Sequence, residues 1–439
     1  MSRAPAARAE LEEVFRAALQ AVDAGAALDR ALGGGAGGLS LAGERLAPGV
    51  RLRVVAAGKA AAPMAAALEA RAGERIAAGL AVVPDGHGLP LARIRLREAA
   101  HPVPDARSER AAREALSLVS EAPPEDALVV LLSGGASSLL SAPAPGLARA
   151  DLAAATRALL AAGCGIDELN SVRKHLGLVS GGRLAAASRT ARIHLLAVSD
   201  VPGGRFDVIG SGPCSPDPTR YADALDVIAR RQLRGRLPPA LVAHLEAGAR
   251  GEREETPKPG DPRLARVRSA LVADNGAARE AALAAARSRG RLALPLGEIL
   301  TGEASRAGCR LAALAAALRP PRAALLVAGG ETVVRVCGAG RGGRSQELAL
   351  AAALELEGRG GVALLAAGTD GRDGPTDAAG AYADGDTVAR GRARGLDARR
   401  HLAENDSYPF FAAEGGLFRT GPTRTNVMDL ALVLLAPPC

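Results

Sequence analysis

Aromatic residues are nearly absent: the 439 positions hold three Tyr, five Phe and no Trp. Proteins that grip single-stranded nucleic acid stack bases on aromatic side chains, so that class is disfavoured despite a net charge of +8. The basic residues form no block. They alternate with Asp and Glu, as on a solvated surface that attracts a small anion. Lysine is also scarce, for only Lys59, Lys174 and Lys258 break the run of arginines. Where Arg fills most basic positions, a retained Lys marks a need for a compact charge. Cys164, Cys214, Cys309, Cys337 and Cys439 lie far apart without a CxxC pair, which points to neither a disulfide framework nor a zinc site. No apolar run approaches the ~18 residues of a membrane span. The opening AELEEVFRAALQAVDAG has acidic residues in a helical pattern, unlike a secretory signal. The expectation is a cytoplasmic protein with neither membrane nor nucleic acid as partner.

What is abundant is aliphatic. Apolar residues make up 48% of the chain, mostly Ala, Leu and Val, and the length favours two domains. After a first helix and a glycine-rich loop at 33–38, short apolar runs alternate with Ala-rich helical stretches, which is an α/β pattern. RVVAAG, GLAVVP, ALVVLLS and IHLLAVS read as strands of a parallel, Rossmann-like sheet whose carboxyl ends should carry the ligand. A charged, Pro-rich stretch at 232–268 reads as a linker, giving domains 1–245 and 246–439. Closely spaced strands at 323–337 predict a hairpin, hence a mixed sheet in the smaller second domain.

The strand exits are polar. VVAAGKAAAPM places Lys59 between a strand and a helix start, either as an anion-binding charge or as an ordinary helix-start lysine; it is not a Walker A loop. LLSGGASSLL offers Ser133, Gly134, Gly135, Ser137 and Ser138, more Gly and Ser than a capped turn requires, and suits a phosphate or carboxylate. In DELNSVRKHL, Asn170, Arg173 and Lys174 share one helical face that could hold a carboxylate or be a salt-bridged surface. Asp200 opens a long loop as a candidate general base or metal ligand, while Asp207 and Asp217 read as turn residues. GAGRGGRSQELAL matches G-x-G-x-x-G and places Gly342, Gly343 and Arg344 at a helix start, a second anion site. TDGRDGPTDAAGA gathers Asp370, Asp373 and Asp377 on one loop, where Mg²⁺ coordination by Asp370 and Asp373 competes with a solvated acidic turn.

Taken together, AAGKAAAPM, HPVPD, SGGASSLL, ELNSVRKHL, SDVPG, SGP, GRGGRSQELAL, TDGRDGPTDAAGA and TGPTRTNVMDL resemble, in order and over nearly the whole chain, the glycerate 2-kinase family with its C-terminal MOFRL region. The resemblance implies an active site in the cleft between two domains and transfer of a phosphoryl group from ATP to D-glycerate, yielding 2-phosphoglycerate. It implies Lys59 and Arg344 as the catalytic cations. On that reading Mg·ATP lies near the SGGASS loop and Gly342–Gly343, with Asp370 and Asp373 on the metal. Glycerate is then held by Arg173 with Asn170 and Lys174, and Asp200 serves as base. The chain would act as a monomer or homodimer. It departs from the family pattern at Gly177, Ser180, Gly204, Ser345 and Arg424, and position 204 receives no role. The rival readings are an NAD(P)H-dependent hydroxypyruvate reductase using the G-x-G-x-x-G segment, and a non-catalytic binder of small carboxylates.

Overall fold

The computed structural model describes residues 4–33 and 38–437, so most of the expected loop at 33–38, and Cys439, lie outside the described residues. Two compact units result: Ala24–Val272, and Met1–Asp23 joined with Ala273–Cys439. The first contains a small hairpin, β1 (Leu39–Leu41) and β2 (Glu44–Leu46). Its main sheet is built from β3 (Leu52–Ala57), β4 (Ile76–Pro84), β5 (Arg95–Ala99), β6 (Ala127–Leu132), β7 (Arg192–Val198) and β8 (Val267–Ala273). In space the order is β5-β4-β3-β6-β7-β8, parallel from β5 through β7. This is the doubly wound, Rossmann-like order, which reverses between β3 and β6. Both central strands are Ala, Val and Leu almost throughout because helices cover both faces; β6 is buried at every position.

A second apolar cluster joins helices Arg149–Ala161, Ile166–Leu176, Tyr221–Arg230 and Pro239–Ala249 through Leu159, Val172, Ile228, Leu241 and Leu245. The stretch read as a linker packs within this unit, which runs to Val272. What fastens it is Asp217, which makes the expected turn through Thr219 N and is a buried hub as well. Its carboxylate accepts from Thr219 N (3.0 Å), Thr219 Oγ1 (2.7 Å), Thr256 Oγ1 (2.9 Å) and Lys174 Nζ (3.3 Å). Burial alone would raise its pKa, but Lys174, Thr219 and His175 outweigh it and hold the group below the ordinary Asp value. Its stabilising contribution is therefore complete above the unfolded value of about 3.9 and is lost as pH falls through the lowered folded value. Asp217→Ala leaves the buried Lys174 ammonium with only Asp207 at 3.7 Å and takes the acceptor from Thr219 and Thr256, an expected loss of about 3 kcal/mol. Denaturant melts at pH 7 check this, and at pH 2 the gap between the wild type and Asp217→Ala should narrow.

The second unit carries β9 (Leu292–Leu300), β10 (Ala324–Gly330), β11 (Val362–Gly368), β12 (Gly380–Asp384), β13 (Leu417–Phe418) and β14 (Asp429–Leu435), in the order β13-β12-β11-β14-β10-β9. The sheet is mixed as expected, for a different reason. β9 and β10 are parallel, and β14 inserts antiparallel to both β10 and β11. The predicted hairpin at 323–337 does not form: Val333 and Val336 are 62% and 74% exposed, and the almost wholly buried β14 takes the place beside β10. The N-terminal helix Ala4–Ala21 also belongs to this unit, with Phe15 edge-on to Phe418 at 5.3 Å and Glu10 paired with Arg291 at 2.6 Å. Among the described residues the cysteines are free thiols, and no helix is long and apolar enough to cross a membrane.

Candidate active site

In the parallel-sheet unit, the reversal of strand order falls where Lys59 and the Ser133–Gly135 turn emerge. These two exits are locked together: Lys59 N donates to Gly134 O (2.9 Å), and Ala60 N donates to Ser133 Oγ (2.9 Å). Gly58 makes this possible, since its φ of +126° and the Ser133 carbonyl, 2.5 Å from where a Cβ would sit, exclude any side chain. Ser133 is thus spent on holding the neighbouring loop. Lys59 is half-buried and stands two residues before the start of the helix Ala61–Ala72, whose N-terminal dipole favours anions. Asp200 lies two residues beyond the end of β7, on the same carboxyl edge.

Next to this edge a small pocket of about 30 Å³ is lined by Ser137, Ser138, Arg173, Ser180 and Ser211, with Leu152 and Leu176 among its apolar walls. The Arg173 guanidinium makes no hydrogen bond or ion pair among the described residues, and burial lowers its pKa to about 10. A guanidinium kept largely from water without a protein carboxylate is suited to bind one from a ligand. The three polar residues expected to share a face separate in function. Asn170 accepts from Ser211 Oγ (2.8 Å), while Lys174 is 3% exposed and turned to Asp217. Lys174 is therefore occupied in the fold, which corrects its expected place on the substrate. Ser138 Oγ bonds back to Gly135 O (3.0 Å), and Ser137 faces Ser211.

In the mixed-sheet unit, Arg344 opens the helix Arg344–Glu355 and meets Asp429 through Nε (2.6 Å) and Nη2 (2.9 Å), with Nη1 on Glu331. Burial opposes its charge, but Asp429, Glu331 and Asp373 outweigh this and hold its pKa above the ordinary range. Neither carboxylate was a candidate from the sequence; the only signal was an acid opening the otherwise apolar run DLALVLL. The expected anion site at this helix start is filled by the chain itself. Asp373 accepts from Ser345 N (3.0 Å), Gln346 N (2.8 Å) and Gln346 Nε2 (3.0 Å), and burial pushes its pKa up to about 7 against those donors.

The glycines of the G-x-G-x-x-G segment are likewise taken up by protein. Positions for a Cβ at Gly338 and Gly340 fall 2.3 and 2.4 Å from Glu404 O, at Gly342 2.3 Å from Ser407 Oγ, and at Gly343 2.3 Å from Asp373. That leaves no cradle for a phosphate at Gly342 and Gly343. The three loop carboxylates also diverge: Asp370 accepts from Arg372 N, Asp373 caps the helix, and Asp377 pairs with Arg419 and Tyr408. No group of three or more His, Cys, Asp or Glu that could hold a metal occurs among the described residues, so Asp370 and Asp373 do not fit as a ready Mg²⁺ site.

Two family models match: Domain of unknown function (DUF4147) over residues 10–246 and MOFRL family over 324–429. A D-glycerate 2-kinase of Thermotoga maritima is 41% identical over 391 residues, 88% of this chain and 91% of the relative. A protein of Agrobacterium vitis with the provisional name of a hydroxypyruvate reductase is 43% identical over 396 residues, 88% of each chain. A crystal structure of glycerate kinase from T. maritima matches with a TM-score of 0.84 at 37% identity, covering 98% of this chain and all of that one. With its order of motifs, its two sheets and likeness over most of its length to glycerate kinases, this chain belongs to the glycerate 2-kinase family.

Proposed function

We propose that the enzyme transfers the γ-phosphoryl group of ATP to the C2 hydroxyl of D-glycerate, releasing ADP and 2-phosphoglycerate. The observation that carries this is a lysine at the reversal of strand order and, beside the same sheet edge, a pocket holding the Arg173 guanidinium, which has no protein partner among the described residues. Phosphoryl transfer asks of a protein chiefly position and charge. Arg173 binds the glycerate carboxylate through paired N–H donors. Asp200 receives the proton of the attacking hydroxyl. Lys59 stabilises negative charge on the transferring group; Arg344, the second catalytic cation that the family resemblance implies, is held in one orientation by Asp429 and Glu331.

The reductase reading loses its main support, because the glycine segment that would bind a dinucleotide is packed against Glu404, Ser407 and Asp373. Incubation with ATP, Mg²⁺ and D-glycerate, followed by separation of the phosphate isomers, is expected to give 2-phosphoglycerate with ADP in equal amount. NAD(P)H oxidation with hydroxypyruvate, without any phosphorylated product, would reverse the assignment.

A further inference from the structure

The Arg173 pocket has a second polar feature, whose direction can be worked out atom by atom. Asn170 Nδ2 donates to Val208 O (3.4 Å), which turns its Oδ1 toward Ser211. Ser211 Oγ donates its one proton to that oxygen (2.8 Å). The 2.8 Å contact between Ser211 Oγ and Ser137 Oγ must then be donated by Ser137. Both protons are consumed inside the protein, so Ser137 Oγ meets the pocket with lone pairs only. It can accept a hydrogen bond and cannot give one.

Ser211 is also held in an unusual backbone state. Its φ is +59°, between Gly210 and Gly212, both also at positive φ, and the residue is 1% exposed. A glycine would occupy this conformation at lower cost. What serine adds there is the hydroxyl that sets the direction of the relay.

We propose that the Asn170–Ser211–Ser137 relay makes Ser137 the acceptor for a substrate hydroxyl, so that the pocket selects hydroxy-carboxylates over plain carboxylates. This rests on the reading of the pocket as the glycerate site. It moves Ser137 from the nucleotide to the substrate and makes Ser211 a positioning residue. Arg173 takes the carboxylate, and Ser137 reads the hydroxyl.

Binding of D-glycerate and of propionate is measured by calorimetry without nucleotide, in the wild type, Ser137→Ala, Ser211→Gly and Arg173→Ala. Ser211→Gly suits the native φ and so keeps the fold. The wild type is expected to prefer glycerate by at least 10-fold. Ser137→Ala should lower glycerate affinity about 10-fold with propionate unchanged, and Ser211→Gly should lower it by several-fold in the same selective way. Arg173→Ala should weaken both ligands alike. A Ser137→Ala enzyme that keeps the full preference overturns the relay while leaving the pocket intact. Arg173→Ala binding both ligands normally, or a wild type that binds neither, removes the pocket reading and the relay with it.

Discussion

Arg344→Ala is expected to lower kcat by about 10³-fold and to destabilise the protein at the same time. The two effects have separate causes. Loss of turnover follows from removing a preorganised cation whose charge is secured by its neighbours. Loss of stability follows from Asp429, which is 4% exposed and would stay buried without its bidentate partner, at a cost of about 3–5 kcal/mol. The double variant Arg344→Ala/Asp429→Asn separates them. Removing the orphaned charge should restore most of the melting temperature, while steady-state turnover stays low. If turnover returns along with stability, Arg344 is a structural residue and its catalytic role is lost.

Lys59→Ala should lower kcat by about 10²- to 10³-fold with little change in melting temperature. The interlock with the Ser133–Gly135 turn runs through the backbone N–H groups of residues 59 and 60, which the substitution retains. The side chain beyond Cβ is removed, and its charge with it. Lys59→Arg should recover part of the activity, because it restores charge but offers a planar fork where a compact group sits. Steady-state kinetics beside thermal melts check this. Near-normal turnover in both Lys59→Ala and Arg344→Ala would end the phosphotransfer account.

The glycine segment at 338–343 and the acidic loop at 370–377 show why motif spelling is weaker than geometry. Both have the composition of ligand loops. In the structure the glycines admit the backbone of Glu404 and the side chain of Asp373, and Asp373 serves as the carboxylate cap of a helix. Glycine permits close approach, and composition does not say by what. The apolar run TVVRVCG has the β-branched content of a strand, yet lost its place to β14, which lies about a hundred residues further on and buries nearly every side chain.

What the amino-acid order determined by itself was local: the apolar runs of both sheets, the glycine and serine turns at their ends, and Lys59 beside a helix start. Those features depend on neighbours a few residues apart, where periodicity and turn chemistry operate. The tertiary structure alone decided which charges are engaged. Arg344 meets Asp429 across 85 residues, Asn170 meets Ser211 across 41, and Asp217 meets Thr256 across 39. Such pairings arise when strands and helices from distant segments pack. Burial then makes each lone charge or hydroxyl costly unless it finds a partner, and so sets residues that hold the fold apart from those, like Arg173, without a protein partner among the described residues.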